Sequence, residues 1–186
     1  MTDRYGVDGF WMDGEIGAVY TCYCDRCTSA FTQQTGITEI LRDKKRPHWE
    51  AWMKFTRDSF YEPVTRYTDA VHAHKSGVLI YSNWLQTFRN PGEHSVPTDW
   101  ISGDKTWVFA MDSSRCEARY ISTRGKHWDI MLWGFYKLGP MSDDTAAGVF
   151  KPVQRLQQEA AVTLVQGGAV QIYEHLQGLR NGQLIP

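Results

Sequence analysis

Two segments near the start of the chain carry most of its chemical potential. The apolar run Gly9-Phe10-Trp11-Met12 ends on Asp13-Gly14-Glu15, and Cys22-Tyr23-Cys24-Asp25-Arg26-Cys27 follows. Carboxylates at the tip of a buried strand are expensive to desolvate, so chemistry usually explains them. Thiolates at this spacing suit a metal, because sulfur is soft and four thiolates complete a tetrahedral zinc shell. Cys22, Cys24 and Cys27 supply three ligands, and the fourth is either Cys116 or a residue outside this sequence. A closed thiolate shell leaves no open position, so such a zinc is structural and takes no part in catalysis. A plain turn competes for Asp13-Gly14, and reduced, unliganded loop cysteine competes for the cluster.

Strands and helices that must position these residues alternate along the chain. The first strand is Gly9 to Asp13, and a helical pattern from Asp25 to Gln34 stops at Gly36. Pro47 opens a long helix in which Trp49, Trp52, Met53, Phe55, Phe60, Val64, Tyr67 and Val71 recur at helical spacing, with a kink expected at Pro63. Val78 to Asn83 is a short apolar run of the kind buried on both faces. Further strands are expected at 99–104, 128–135 and 169–174, with helices over 113–124 and 152–166 and a loop over 136–148. Five strands separated by helices argue for parallel βαβ units.

In parallel barrels the active site gathers at the carboxyl ends of the strands. Here those ends carry Asp13 with Glu15, Ser82 with Asn83, Asp104, Trp133 with Phe135, and Glu174. A strand alternates its side chains, so Trp11, Asp13 and Glu15 share one face and Phe10 and Met12 the other. Cleaving a glycosidic bond takes two carboxyl groups, about 5 Å apart in retaining enzymes and about 6.5–9.5 Å in inverting ones. Asp13, Glu15 and Asp104 are the candidates for that pair. Trp11, Asn83, Trp84, Trp107, Trp133 and Glu174 are candidates for holding a sugar, since flat aromatics stack against sugar rings. Five strands cannot close an eight-stranded barrel of about 250 residues. The fold class expected is therefore α/β, a partial (β/α)8 TIM barrel spanning residues 1–186 as part of a longer enzyme. A complete small open α/β domain is the alternative.

Composition narrows the partners. The 186 residues hold 20 basic and 21 acidic side chains, so nucleic acid and membrane surfaces are not expected as partners. No apolar run approaches the roughly 20 residues of a membrane span, and Met1-Thr2-Asp3-Arg4-Tyr5 has no export-signal character. Four cysteines, three of them clustered, make no disulfide framework, so a cytoplasmic setting is expected. Open sheet edges of a partial barrel favour self-association, which makes a homo-oligomer an expectation too. The 8 Trp, 9 Tyr and 8 Phe suit both a core and a carbohydrate partner.

At these residues the chain resembles a known group. Asp8-Gly9-Phe10-Trp11-Met12-Asp13-Gly14, Cys22-Tyr23-Cys24-x-x-Cys27 and Phe31 are similar to segments of glycosyl-hydrolase-like barrel proteins grouped with the α-L-fucosidase superfamily. Asp99 to Asp104, Trp128 to Phe135, and Glu159-Ala160-Ala161 leading to Gly167-Gly168 and Ile172-Tyr173 agree, so the resemblance spans nearly the whole chain. It implies barrel strands four to eight, with hydrolysis of O-glycosidic bonds as the activity. In fucosidases the aspartate of a Trp-Phe-Asp-Gly-like strand end is the nucleophile, which implies that role for Asp13. The cysteine cluster is similar to the zinc site of certain bacterial β-galactosidases, where an Asn-Glu-Tyr-Gly-like segment supplies the acid/base. Gly14-Glu15-Ile16-Gly17 is similar but lacks the Asn and Tyr. The two resemblances thus assign different residues of one strand. A non-catalytic carbohydrate-binding barrel and a zinc-stabilised interaction domain are the rival readings.

Overall fold

The computed structural model describes residues 2–13, 21–40, 42–45, 47–84, 94–104, 110–137, 139 and 148–174. It is a mixed α/β fold whose internal contacts divide it into two compact units. One unit comprises Met1–Ser82 with Arg89–Asp99, the other Asn83–Phe88 with Trp100–Pro186. Among the described residues no helix is long and apolar enough to cross a membrane.

The first unit contains α1 (Thr2–Tyr5), β1 (Gly9–Met12), α2 (Asp25–Thr35), α3 (Trp49–His74) and β2 (Leu79–Asn83) except its last residue, Asn83, which is assigned to the other unit. β1 and β2 pair in parallel, from Gly9 opposite Leu79 to Met12 opposite Ser82. Ser82 Oγ lies 2.8 Å from the Tyr67 hydroxyl on α3. That contact puts Phe10, Met12, Ile80 and Ser82 on the helix side of the pair, and Trp11 with Tyr81 on the other. The strand parity expected around Asp13 is therefore present, and both Trp11 and Asp13 are exposed.

α3 starts later than the proline suggests. Pro47 precedes the cap, His48 takes a left-handed conformation (φ 69°), and the helix begins at Trp49. Pro63 lies inside α3 without ending it. Phe31 of α2 packs edge-on to Trp52 of α3 with ring centroids 4.6 Å apart, and Phe55 completes the cluster. Gly36 closes α2 at φ 73°, a conformation that would strain any residue with a Cβ. Asp99, expected as the first residue of a strand, is an anchor instead. Its carboxylate accepts the Ile80 N–H at 2.8 Å and meets His72 Nε2 at 2.9 Å.

The second unit holds β3 (Trp100–Asp104), α4 (Ala110–Ile121), β4 (His127–Trp133), β5 (Phe135–Lys137), β6 (Gly148–Phe150), α5 (Val153–Leu164) and β7 (Ala169–Tyr173). β3, β4 and β7 pair in parallel, with Ser102 opposite Asp129 and Met131 opposite Gln171. Ile101, Trp128, Ile130 and Leu132 are buried on one parity, with Ala118 and Ile121 of α4 also in the core. The opposite parity is polar and aromatic: Trp100, Ser102 and Asp104, then Asp129 and Trp133, then Gln171 and Tyr173.

One expectation fails here. The segment after Trp133 is more than a loop, because β5 and β6 form an antiparallel pair, Phe135 opposite Phe150. Three-residue strands are too short to show periodicity, and their pairing is distant in sequence. Behind the hairpin lies a buried ion pair. Lys151 Nζ donates to Glu159 Oε2 at 3.0 Å, Arg155 Nε sits 3.2 Å from Oε1, and the Lys151 and Glu159 side chains are both 0% exposed. The Lys151 N–H also donates to the Gly134 carbonyl at 2.8 Å.

Removing one partner of such a pair strands the other charge away from water, which costs about 3–5 kcal/mol. Arg155 still meets Glu159 when Lys151 is lost, so the variant that strands a charge is Glu159→Ala, which leaves Lys151 buried alone and is expected to lower the urea unfolding free energy by about that amount. Lys151→Met combined with Glu159→Leu is expected to cost less than Glu159→Ala alone, and a double variant less stable than the single one would contradict this.

Candidate functional site

The cysteine centre is built on aromatic packing. Tyr23, between Cys22 and Cys24, stacks on Trp52 of α3 with centroids 5.1 Å apart and planes 17° apart. The Arg42 guanidinium covers the Tyr23 ring at 4.6 Å. Cys24 is the N-cap residue of α2, and Cys27, in its first turn, packs against the Phe31, Trp52 and Phe55 cluster. The backbone thus brings three sulfurs together from both sides of one helix start. All three lie within 4.8 Å of one another, with Cys22 and Cys24 at 3.4 Å. Zinc–sulfur bonds of about 2.3 Å place tetrahedral sulfurs about 3.8 Å apart, so the set fits such an ion. These three cysteines can hold a metal ion. Cys116 is not among them; it lies exposed on α4 in the other unit.

The sulfurs differ in acidity. The Cys27 backbone N–H, and then the thiols of Cys22 and Cys27, draw the Cys24 pKa down to about 7. Burial, followed by the neighbouring sulfurs, pushes Cys27 up to about 12. A bound cation reverses the second effect, because it holds the thiolate that burial disfavours.

The second cluster sits at the carboxyl ends of β3, β4 and β7. Asp104 is 5% exposed, and the Trp133 indole N–H donates to its Oδ1 at 2.8 Å. Trp133 stacks on Phe135 at 5.2 Å, and Tyr173 meets both rings edge-on at 5.7 and 5.6 Å. Glu174 lies over Gly134, where a Cβ would come 1.8 Å from Glu174 Oε1. Glycine at 134 therefore leaves the space that this carboxylate fills.

Below it on the same face lies a buried network that the strand ends did not reveal. Ser102 Oγ donates to Asp129 Oδ1 at 2.6 Å, and Gln171 Nε2 donates to Ser102 Oγ at 3.1 Å and to Asp129 Oδ2 at 2.9 Å. Burial raises the Asp129 pKa, and hydrogen bonds from Ser102, Gln171 and Trp100 offset part of that rise. The signal in the sequence is parity, since Asp129 stands four residues before Trp133 on one strand.

Of the residues singled out from the sequence, Asp104, Trp133 and Glu174 belong to this second cluster, and Asp13 and Trp11 end the strand of the first unit. Asn83 and Trp84 are each only 2% exposed, so Trp84 is enclosed and presents no open platform. Its N–H donates to the Ser102 carbonyl at 2.9 Å. Glu15 and Trp107 lie outside the described residues. Compared with protein-family profiles, curated proteins and solved structures, the chain matches none.

Two outcomes are expected. Protein purified without chelator should carry close to one zinc per chain by elemental analysis, and chelation should lower its melting temperature by several degrees. Metal-free protein with an unchanged melting temperature would remove the metal. For Asp129, burial favours the neutral form in the folded state, so its contribution to stability is full below the unfolded-state pKa of 3.8 and is lost as pH rises through the folded one. The stability of the native protein relative to Asp129→Asn should accordingly fall as pH climbs from about 3 to 7. A pH-independent difference would contradict the buried, shifted carboxyl.

Proposed function

We propose that this chain is part of a glycoside hydrolase, a (β/α)8 barrel of which it supplies about strands four to eight. The observation that carries the reading is Asp104, a nearly buried strand-end carboxylate held by the Trp133 indole beside Tyr173 and Glu174. A sugar presents hydroxyls that carboxylates can hold and C–H faces that aromatic rings can cover. Parallel strands with helices on one side and polar groups on the other support the barrel part of the proposal.

In this reading one carboxyl attacks the anomeric carbon or activates water, and a second protonates the leaving oxygen. Asp13 takes the nucleophile role by its resemblance to the Trp-Phe-Asp-Gly-like strand end, with Asp104 and Glu15 as candidates for the acid/base. Trp133, Tyr173 and Glu174 hold the sugar, and zinc at the cysteines holds the segment that leads into α2. A sugar-binding barrel without turnover is the second reading. It is favoured by Asp104, whose Oδ1 already accepts the indole N–H.

A panel of nitrophenyl glycosides tests the proposal on the protein containing this chain. At least one should be hydrolysed, and Asp13→Asn should lower kcat by about 10²–10⁴-fold with the fold retained. Near-normal turnover in that variant would remove Asp13 from the mechanism. Sugar binding without hydrolysis of any substrate would favour the second reading.

A further inference from the structure

The cysteine centre has a second chemistry that metal binding does not use. Cys22 and Cys24 are both exposed, both free, and have sulfurs 3.4 Å apart. A disulfide needs about 2.0 Å between sulfurs, so the pair has to close by about 1.4 Å. Cys27 differs, because its side chain packs into the cluster of Phe31, Trp52 and Phe55 and is less exposed than the other two. Pulling it toward another sulfur would disturb that packing.

We propose that Cys22 and Cys24 form a reversible disulfide on exposure to hydroperoxides, and that this oxidation competes with metal binding by the same cluster. One of the two, as thiolate, attacks a peroxide oxygen. The S–O bond forms, the O–O bond breaks, and the departing oxygen takes up a proton as water or alcohol. The second thiol then attacks the sulfenic sulfur. The S–S bond forms, the S–O bond breaks, and water leaves. Two electrons pass from the two thiols to the peroxide. Cys27 alone of the three remains a thiol, and one sulfur is too few to hold the ion. A metal bound first ties up both electron pairs and blocks the attack.

Mass spectrometry reads the outcome directly, because cleavage after arginine puts Cys22 and Cys24 in the peptide 5–26 and Cys27 in the peptide 27–42. The reduced protein, treated with one equivalent of hydrogen peroxide and then alkylated, should yield peptide 5–26 unalkylated and lighter by about 2 Da, with Cys27 alkylated. Dithiothreitol should reverse the change, and prior loading with zinc should slow it at least tenfold. Cys27→Ser should still form the bridge, and of Cys22→Ser and Cys24→Ser, the variant that keeps the attacking cysteine should leave on it a sulfenic acid that dimedone traps. The proposal is overturned if Cys27 or Cys116 is the residue lost to alkylation, if Cys27→Ser abolishes the bridge, or if zinc gives no protection.

Discussion

A strand in a parallel sheet has two faces to account for, and that constraint organises the second unit. β3, β4 and β7 give one face to apolar packing, through Ile101, Ile130 and Leu132. Their other face carries Ser102, Asp104, Asp129 and Gln171. Each of those groups leaves water on folding and needs a partner. Register supplies one: Ser102 stands opposite Asp129, and Gln171 reaches both. At the strand ends the same rule pairs Asp104 with the Trp133 indole. Where parallel strands usually read as continuous hydrophobic runs, this face is polar and internally satisfied.

In the first unit the order of dependence runs from helix to loop. α3 presents Trp52 and Phe55, α2 docks on them through Phe31, and the start of α2 brings Cys24 and Cys27 to Cys22. Tyr23 fixes the turn between the first two cysteines by stacking on Trp52. Six residues gain a defined geometry from a core that lies mostly outside them. The same docking sets the chemical difference between the sulfurs, since Cys24 stands at the helix start and Cys27 against the aromatic core.

Much of this was legible in the sequence. Alternating apolar runs and helical periodicity gave all five parallel strands and the four long helices to within a few residues, and the C-x-C-x-x-C spacing gave the sulfur cluster. What the sequence hid depends on pairing between distant segments. The β5–β6 hairpin joins two three-residue strands, and Asp99 serves β2 and His72 in place of its own strand. Asp129 looked like an ordinary polar residue inside an apolar run until its register with Ser102 was known. The Lys151–Glu159 pair is eight residues apart and crosses from a loop to a helix, a spacing that no periodic pattern marks. Trp84 follows a strand end, as an exposed platform would, yet is enclosed. Sequence position gives an aromatic residue's element, and burial depends on what the rest of the chain lays over it.

The central claim is that Asp104 and Trp133 form part of a carbohydrate site. The indole ¹⁵N–¹H resonance of Trp133, assigned by its loss in Trp133→Phe, reports on that bond directly. Titration with a panel of neutral monosaccharides and disaccharides should shift this resonance selectively with at least one sugar, leaving the Trp52 indole, in the core of the other unit, unmoved. A folded protein whose Trp133 resonance stays fixed with every sugar, or moves only together with Trp52, would contradict the account.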